Sequence, residues 1–426
     1  VGVHPDTVTI APNGLLAVVA NEAELWSLEG GTFNSAPGSV SLLDLDAGPG
    51  AMRHVLIELP PATGVAGMVQ ASWHRFIEVP LDLNGDGVIQ TSPYDLDGDG
   101  TIGGRVRVGS MNGADVWIEE RGTEQEVLLP LGSGDPHELQ PEFVVISADS
   151  TRAWVGLQEN NGIAEIDLVA RAFVRYHGLG ITTHPADLRR DDVVRFTDTL
   201  VAAREPDGLS LTPDGRFLVT ADEGDTYPGS TPDQSPERPG TGGRSVSVFA
   251  VGEPGEPLRF VADTGNALDE MAHRLGRYPD RRSNQRGSEP EYVALFWLAD
   301  SSNGQATPAI RRVGSRTPGG EGGYEIISGL PSKADSYHSA QAAALAGRGA
   351  VRTLGVAGLE RAGVIVLFEV GADGVPIVWD AAACEGRDPR PEGLWVHYDA
   401  ATNRAAVFAA NEQAGIDLFE VTLVPR

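Results

Sequence analysis

The sequence is poor in cysteine, in lysine and in long apolar runs. The first and the last of these scarcities exclude particular structural features. Cys384 is the only cysteine, so the chain can form neither an intrachain disulfide nor a zinc site built on cysteines. No run approaches the ~18–20 apolar residues that a transmembrane helix requires. Lys333 is the only lysine, and arginine supplies every other fixed positive charge.

Positive charge as a whole is also scarce. Lysine and arginine total 32 against 60 acidic residues, which leaves a net charge of −28. A surface of this sign repels phosphate backbones and anionic lipids, so we expect neither nucleic acid nor an anionic membrane as a partner. Divalent cations and cationic surfaces are favoured instead.

Glycine and proline are plentiful, at 53 and 29 residues, and they accompany a recurring strand pattern. Each copy opens with proline and an acidic residue. Most copies then continue with an alternating strand, a turn such as Asn13-Gly14 or Asp214-Gly215, and a second strand, which is a strong hairpin signal. The copies open at Pro5, Pro141, Pro206, Pro290 and Pro391. A third strand follows each hairpin, at 38–45, 162–168, 244–251, 363–370 and 415–421.

Antiparallel sheets that recur every ~40–60 residues are typical of propeller blades. We therefore predict an all-β fold, a β-propeller of seven blades with six as the alternative. One domain spans 1–422, with insertions at about 70–110 and 299–350. Each of the poorly fitting stretches 50–135 and 300–350 would hide a degenerate blade. Residues 423–426 fit native sequence and the remnant of a thrombin site equally well.

The repeat places a carboxylate at the same two points of each copy. In a propeller, the start of the first strand and the end of the second lie on one face, so these side chains are expected to converge on the channel mouth. The starts carry Asp6, Glu142, Asp207, Glu291 and Glu392, and the ends carry Glu22, Glu159, Glu223, Glu360 and Glu412.

Carboxylates this close cannot all stay ionised in a dry site, and oxygen ligands in such number suit Ca²⁺, Mg²⁺ or Mn²⁺, with iron as a further candidate. The alternative is that the acids cap turns, copied into every blade from one ancestral repeat. We expect a catalytic set formed by Glu142, Asp207, Glu291, Glu392, Arg204 and His137. Metal ligands are expected from Asp6, Glu22, Glu223, Glu360 and Glu412.

A second acidic element lies in the first insertion, where two D-x-[DN]-x-D-G loops follow each other. Their predicted ligands for Ca²⁺ are Asp82, Asn84, Asp86 and the Val88 carbonyl in the first loop, and Asp95, Asp97, Asp99 and the Thr101 carbonyl in the second. Pro93 and Val106 stand where an EF-hand would place its closing glutamate, and no amphipathic helices flank the loops. Calcium would therefore brace the insertion rather than catalyse, and a plain acidic turn is the alternative.

With these residues in view, the chain resembles the bacterial choice-of-anchor I family. The resemblance rests on "HPDTVTIAPNGLLAVVANE", "QPEFVVISADSTRAWVGLQENNGIAEIDL", "REPDGLSLTPDGRFLVTADEGD", "RRSNQRGSEPE", "GLERAGVIVLFEV" and "PEGL…ANEQAGIDLFEV". It implies a secreted, periplasmic or surface-anchored propeller, and some members are alkaline-phosphatase-like. The chain departs from the family pattern in lacking the blade that usually precedes the first unit, in its calcium loops and in the split unit at Glu291.

Two functions from different classes follow. The first is an extracytoplasmic metal-dependent hydrolase, a phosphoesterase whose carboxylates hold a metal at the channel mouth and whose arginines orient a small anionic substrate. The second is a non-catalytic, calcium-stabilised surface or matrix protein that binds a partner through its loops. The repeated carboxylates make the first the expected function. The calcium loops, the large negative charge and the absence of a G-x-S-x-G elbow, a P-loop and an H-E-x-x-H motif support the second as the alternative. A monomer is expected in either case.

Overall fold

The structure is a computed structural model. It describes residues 2–23, 26–29, 32–46, 51–68, 74–76, 104–111, 114–121, 124–128, 139–224, 235–236, 239–302, 304–316, 345, 348–412 and 415–425. The predicted calcium ligands from Asp82 to Thr101, and His137, lie outside these residues.

The first blade, blade A, is a four-stranded antiparallel sheet with a hairpin inserted between its second and third strands. In chain order the strands are β1 (Pro5–Ile10), β2 (Leu16–Asn21), the inserted β3 (Trp26–Glu29) and β4 (Thr32–Ser35), then β5 (Ser39–Asp44) and β6 (His54–Glu58). The sheet order is β1-β2-β5-β6. The start of the poorly fitting stretch 50–135 thus supplies the outer strand of this blade.

The rest of that stretch forms a separate sheet. Its strands are β7 (His74–Phe76), β8 (Gly104–Met111), β9 (Ala114–Arg121) and β10 (Glu124–Leu128). They join the inserted hairpin in the order β3-β4-β8-β9-β10-β7. This sheet differs from the blades, because it has six strands and a parallel contact between β4 and β8, whereas each blade has four antiparallel strands.

Blade B and blade C follow, with a hairpin between them. Blade B comprises β11 (Pro141–Ile146), β12 (Arg152–Leu157), β13 (Gly162–Asp167) and β14 (Ala172–Gly178); the hairpin is β15 (Ile181–Ala186) and β16 (Asp198–Ala203). Blade C comprises β17 (Leu209–Leu211), β18 (Phe217–Asp222), β19 (Ser245–Ala250) and β20 (Arg259–Asp263). The helix α1 (Ala267–Arg274) and a 3-10 turn (Asp280–Arg282) then lead to the next blade.

The strand that follows the first strand of blade D in the sequence belongs to the sheet of blade E. In chain order the strands are β21 (Pro290–Asp300), β22 (Thr307–Arg316), β23 (Ala350–Leu359), β24 (Val364–Val370), β25 (Pro376–Ala383), β26 (Pro391–Asp399), β27 (Arg404–Asn411) and β28 (Gly415–Val424). Blade D has the order β21-β23-β24-β25, and blade E has the order β26-β27-β28-β22. The split unit is therefore closed as predicted, with Pro290 opposite Leu359.

Two expectations about the chain's organisation change at this point. The segment 299–350 contributes β22 as the outer strand of blade E, so its described part completes a recognised blade rather than forming a further one. The strand β28 continues through Val424, which pairs with Thr307, two residues past the predicted domain boundary at 422.

The five blades are arranged radially, because their first strands contact one another in chain order. The strand β1 contacts β11, β11 contacts β17, β17 contacts β21, and β21 contacts β26. Apolar side chains fill each space between neighbouring blades; Val18 packs with Val155 between blades A and B, for example. This arrangement confirms the all-β propeller. No helix among the described residues is long and apolar enough to cross a membrane.

The sequence specifies the hairpins through their turns and burial. Gly14 and Gly215 adopt φ of +70° and +71°, a conformation that glycine takes without the steric cost of a side chain. The second strands β2 and β18 are buried along their whole length between neighbouring blades. Each hairpin therefore returns its chain to the face on which it started, which brings the repeated carboxylates together.

Candidate metal centre

The acidic residue at the start of each repeat lies on a backbone irregularity. In blades A, B, D and E the strand register shifts directly after the opening proline, between Pro5 and Val8, Pro141 and Val144, Pro290 and Tyr292, and Pro391 and Gly393. A bulge of this kind takes one residue out of the ladder and re-aims its side chain. The residue concerned is the predicted Asp6, Glu142, Glu291 or Glu392.

Three residues that precede these prolines adopt a strained backbone. His4, Glu205 and Glu289 have φ of +48°, +50° and +53°. Left-handed conformations of such residues cost of order 1–3 kcal/mol and are concentrated at functional sites, where the surrounding structure enforces them. Strain and bulge therefore coincide at His4 in blade A and at Glu289 in blade D, whereas Glu205 precedes Pro206, the opening proline of blade C.

The acidic residue at the end of each second strand is oriented by its neighbour. Asn21 donates to Ser39 and Ser41, and Asp222 accepts from Ser245 and Ser247, so these side chains are held within their own blades. Because successive side chains of a strand point to opposite sides, the following glutamates Glu22 and Glu223 are directed away from them.

The carboxylates meet in four groups, in each of which one oxygen per residue lies within 4.8 Å of the others, and three of the groups share a member with another. The groups are Glu22/Glu142/Glu159, Asp207/Glu223/Glu291, Glu223/Glu289/Glu360 and Glu360/Glu392/Glu412. We call these ten residues the acid band. Two oxygens bound to one Ca²⁺ at its usual distances lie at most about 5.2 Å apart, so the spacing fits a shared cation.

Hydrogen bonds and ion pairs join the acid band across the four boundaries between blades A and E. The Gln140 amide donates to Glu22 at 3.4 Å between blades A and B, and the Gln158 amide donates to Glu223 at 2.7 Å between blades B and C. Arg286 lies 3.5 Å from Glu223 between blades C and D, and Arg390 lies 3.9 Å from Glu360 between blades D and E. The band is thus one continuous polar seam.

Arginines neutralise one side of this seam. Arg282 and Arg361 contact the two oxygens of the fully buried Glu289, at 2.5 Å and 3.2 Å. Arg361 also lies 2.8 Å from Glu360, and Arg390 lies 2.9 Å from Glu412. These carboxylates therefore have cationic partners that bind them without any metal.

Glu291 differs, because no arginine, lysine or histidine among the described residues forms an ion pair with it. Burial and the nearby charges of Asp207, Glu360, Glu392 and Glu289 raise the pKa of Glu291 to about 10. Burial likewise raises the pKa of Glu360 to about 7, although Arg361 opposes the shift. Burial and Glu412 raise the pKa of Glu392. Among the acid-band residues, Glu291 therefore has the most strongly raised pKa, and it lies in one group with Asp207 and Glu223.

Three of the residues that were predicted to line the channel mouth fall outside these groups. Asp6 is exposed and accepts a hydrogen bond from Thr7. Arg204 is 3% exposed and is held by Ser247, the carbonyls of Leu179 and Ile181, and Asp263, so it braces blade C and is not open to a substrate. His137 lies outside the described residues. The expectation that Arg204 would orient a substrate is therefore corrected by its burial and its full set of partners.

Sequence reasoning missed one member of the acid band, Glu289. It precedes the opening proline instead of following it, so the repeat does not single it out. Its signal is local: Glu289 and Glu291 flank Pro290, and Arg282 and Arg286 lie within seven residues before Glu289. A buried carboxylate that needs two arginines leaves this kind of pattern.

A known family model matches the part of the chain that carries four of the acid-band residues, Glu142, Glu159, Asp207 and Glu223. Residues 132–235 match the family model of the choice-of-anchor I domain. The resemblance inferred from the sequence is confirmed. A comparison with curated proteins finds no match.

Solved propellers are similar only in a general way. The β-propeller domain of Myceliophteria thermophila Cps50 (Swd1) is 10% identical, with 99% of this chain and 97% of that chain covered at a TM-score of 0.32. The Pseudomonas aeruginosa periplasmic gluconolactonase PpgL is 14% identical, with 99% and 86% covered at 0.30. A putative 6-phosphogluconolactonase from Bacteroides uniformis is 10% identical, with 98% and 85% covered at 0.29. Likeness at this level assigns no function.

Proposed function

We propose that this chain is an extracytoplasmic metal-dependent hydrolase that cleaves phosphate esters at the acid band. One observation carries the proposal: Asp207, Glu223 and Glu291 bring three carboxylate oxygens within 4.8 Å of one another, and Glu291 has no ion-pair partner among the described residues. A divalent cation would compensate this charge. The choice-of-anchor I match supports the extracytoplasmic location.

The three carboxylates of this group supply only oxygen ligands, which suit a hard cation such as Ca²⁺, Mg²⁺ or Mn²⁺. Asp207, Glu223 and Glu291 would hold it. When bound, such a cation withdraws charge from a phosphoryl oxygen and lowers the pKa of a water molecule. Glu291 holds a proton near neutral pH and releases it when a cation replaces that proton, so cation affinity should rise with pH.

The arginines of the acid band would orient the ester. Arg286 contacts Glu223 and the Gly224 carbonyl, and its side chain is 20% exposed. Arg361 and Arg390 are similarly exposed, at 27% and 25%. Guanidinium groups that are fixed by carboxylates and still partly open can bind a phosphate without further ordering.

The test is hydrolysis of p-nitrophenyl phosphate mono-, di- and triesters with Ca²⁺, with Mn²⁺ and after chelation. We expect activity with at least one ester class, loss of that activity on chelation, and a decrease of about 10²-fold or more in Glu291→Gln. Glu420→Gln is the matched control, because Glu420 pairs with Arg311 far from the acid band. Activity that is equal in both variants, or absent in all conditions, contradicts the proposal.

The arginine pairs favour a second candidate, a non-catalytic surface or matrix protein. Glu289, Glu360 and Glu412 are already neutralised by arginine, and the seam links every blade, as a purely structural element would. This candidate predicts that cations raise the melting temperature while no ester is hydrolysed. Hydrolysis that depends on Glu291 excludes it.

A further inference from the structure

A cavity of about 520 Å³ lies on the face of the propeller opposite the acid band, between blades C and D. Its walls come from the turn between β17 and β18, the end of β21, the start of β23 and the end of β24. These are the strand ends farthest from the bulges that carry the carboxylates. The volume is within the usual range for a small-molecule site.

One wall is an aromatic ring whose orientation is fixed. Trp297 lines the cavity and is half-buried, and its Nε1 donates to the hydroxyl of Thr353 at 3.1 Å. The two residues are directly paired across β21 and β23, so the sheet itself determines where the indole lies. The Thr353 hydroxyl retains its own proton to donate.

A second wall is a buried, fully bonded ion pair. The Arg352 guanidinium, 9% exposed, contacts Glu369 through Nε at 2.8 Å and through Nη2, and it donates to the Ala306 carbonyl at 2.6 Å. Trp379 donates to the same Glu369 carboxylate at 3.0 Å. Arg352 also lies 3.5 Å from the buried Asp300, so carboxylates fully match the positive charge of this wall.

The rim repeats this balance. Arg216 donates to Asp214 at 2.6 Å and to the Ala372 carbonyl at 3.2 Å, while its side chain is 55% exposed. Nη2 of Arg216 makes no hydrogen bond to any described residue. The cavity is therefore lined by two arginines and two carboxylates, in a protein whose net charge is −28.

We propose that this cavity binds an uncharged saccharide, with a sugar ring against Trp297 and hydroxyl groups bonded to Arg216, Asp214 and Thr353. An aromatic face suits the C–H groups of a sugar ring, and adjacent donors and acceptors fixed by ion pairs suit vicinal hydroxyls. Because carboxylates already bind both lining arginines, the lining does not favour an anion. The charged lining disfavours a purely apolar ligand, because its groups would lose water without new partners.

The test is titration of the whole chain with glucose, galactose, N-acetylglucosamine, maltose and cellobiose, followed by isothermal calorimetry and by tryptophan fluorescence. We expect saturable binding of at least one sugar. Arg216→Ala should weaken it by about tenfold or more, and Trp297→Phe should weaken it and abolish the fluorescence change. Arg259→Ala, at an exposed position of the same blade, should bind as the unchanged protein does.

Three results would overturn the proposal. The first is that none of these sugars saturates. The second is that Arg216→Ala and Arg259→Ala bind equally, which would place the sugar elsewhere. The third is binding of glucose 6-phosphate without binding of glucose, which would make the site an anion site on Arg216. Because the cavity and the acid band lie on opposite faces, Glu291→Gln should leave sugar binding unchanged whatever the outcome of the esterase assay.

Discussion

At the scale of single residues, the acid band contains carboxylates in two electrostatic conditions. Glu289 is buried but bound by two arginines, whereas Glu291, two residues later, has no ion pair among the described residues. The bulge after Pro290 separates them, since it turns Glu291 out of the strand ladder. Two carboxylates that flank the same proline therefore differ in their electrostatic environment, and the proposed function assigns a cation only to Glu291.

Glu291 should make the metal-free protein less stable as pH rises. Its pKa is raised to about 10 in the folded state, against an ordinary value near 4.5. Between these values the folded chain holds a proton that the unfolded chain has lost, so unfolding releases it. The free energy of unfolding should fall by up to about 1.4 kcal/mol per pH unit over that window.

Glu291→Gln should remove the share of this slope that comes from Glu291, because glutamine cannot ionise, and the slope that remains below about pH 7 is due in part to Glu360. The measurement is urea unfolding in chelator at intervals between pH 5 and pH 9. Glu420→Gln is the control. Arg311 and Arg404 lower the pKa of Glu420, so this residue's contribution to the free energy of unfolding is lost as pH falls and not as pH rises. An unchanged slope in Glu291→Gln would contradict the charge distribution described for the acid band.

Arg282→Ala should destabilise the fold more than loss of an exposed arginine. Arg282 contacts the fully buried Glu289 at 2.5 Å, and its removal leaves a buried carboxylate with Arg361 alone. We expect a loss of about 3 kcal/mol, the lower end for breaking a buried pair, because Arg282 is itself partly exposed. Arg311→Ala, with a 69% exposed side chain, should cost about 0–1 kcal/mol.

At the scale of elements, the outer strand of blade E is recruited from a distant part of the chain. The strand β22 pairs with β28 from Thr307 to Arg316, although more than ninety residues separate them. Ile310 is 6% exposed and belongs to the apolar cluster between blades D and E. The segment is therefore an integral part of the last blade.

Truncation of Ile310 tests that assignment. Ile310→Ala should lower the free energy of unfolding by about 2–4 kcal/mol, since it removes buried methyl groups from a filled core. Val313→Ala on the same strand, at a position that is 44% exposed, should cost well below about 1 kcal/mol. Denaturant unfolding measures both. Equal effects would show that β22 does not pack against blade E in solution.

The sequence predicts local pairings better than distant ones. The hairpins are encoded within about 20 residues by a turn such as Asn13-Gly14 and by strand periodicity, so β1, β2, β17 and β18 were predictable. The pairing of β22 with β28 has no local signal, because an outer strand needs only to be apolar on one side. For the same reason the prediction treated 299–350 as an insertion.

The candidate site could be predicted as a set but not as a charge distribution. Nine of the ten acid-band residues follow from the repeat, because hairpin geometry brings both strand ends to one face. Which carboxylates are neutralised depends on how Arg282, Arg361 and Arg390 cross between segments, and no repeat specifies that. The burial of Arg204 within blade C was hidden for the same reason.

At the scale of the whole molecule, a net charge of −28 and a continuous acid band act on stability in different ways. Diffuse repulsion is relieved by any salt through screening, with a Debye length of about 10 Å at 0.1 M. A bound cation acts only through binding to the folded state, and it adds about 2.7 kcal/mol at a hundred times its Kd. Matched ionic strength separates the two effects.

Ca²⁺ or Mn²⁺ should therefore raise the melting temperature at pH 8 more than NaCl does at equal ionic strength, and a chelator should reverse the gain. Glu291→Gln should lose one part of the gain, because it removes a ligand of the acid band. The paired change Asp97→Asn and Asp99→Asn should lose another part, if the predicted calcium loops also bind. A variant that combines Glu291→Gln with Asp97→Asn and Asp99→Asn should lose the sum of the two gains in melting temperature, since the two sites share no residue. Equal effects of CaCl₂, MnCl₂ and NaCl would leave screening as the sole cause and would contradict a metal centre in the acid band.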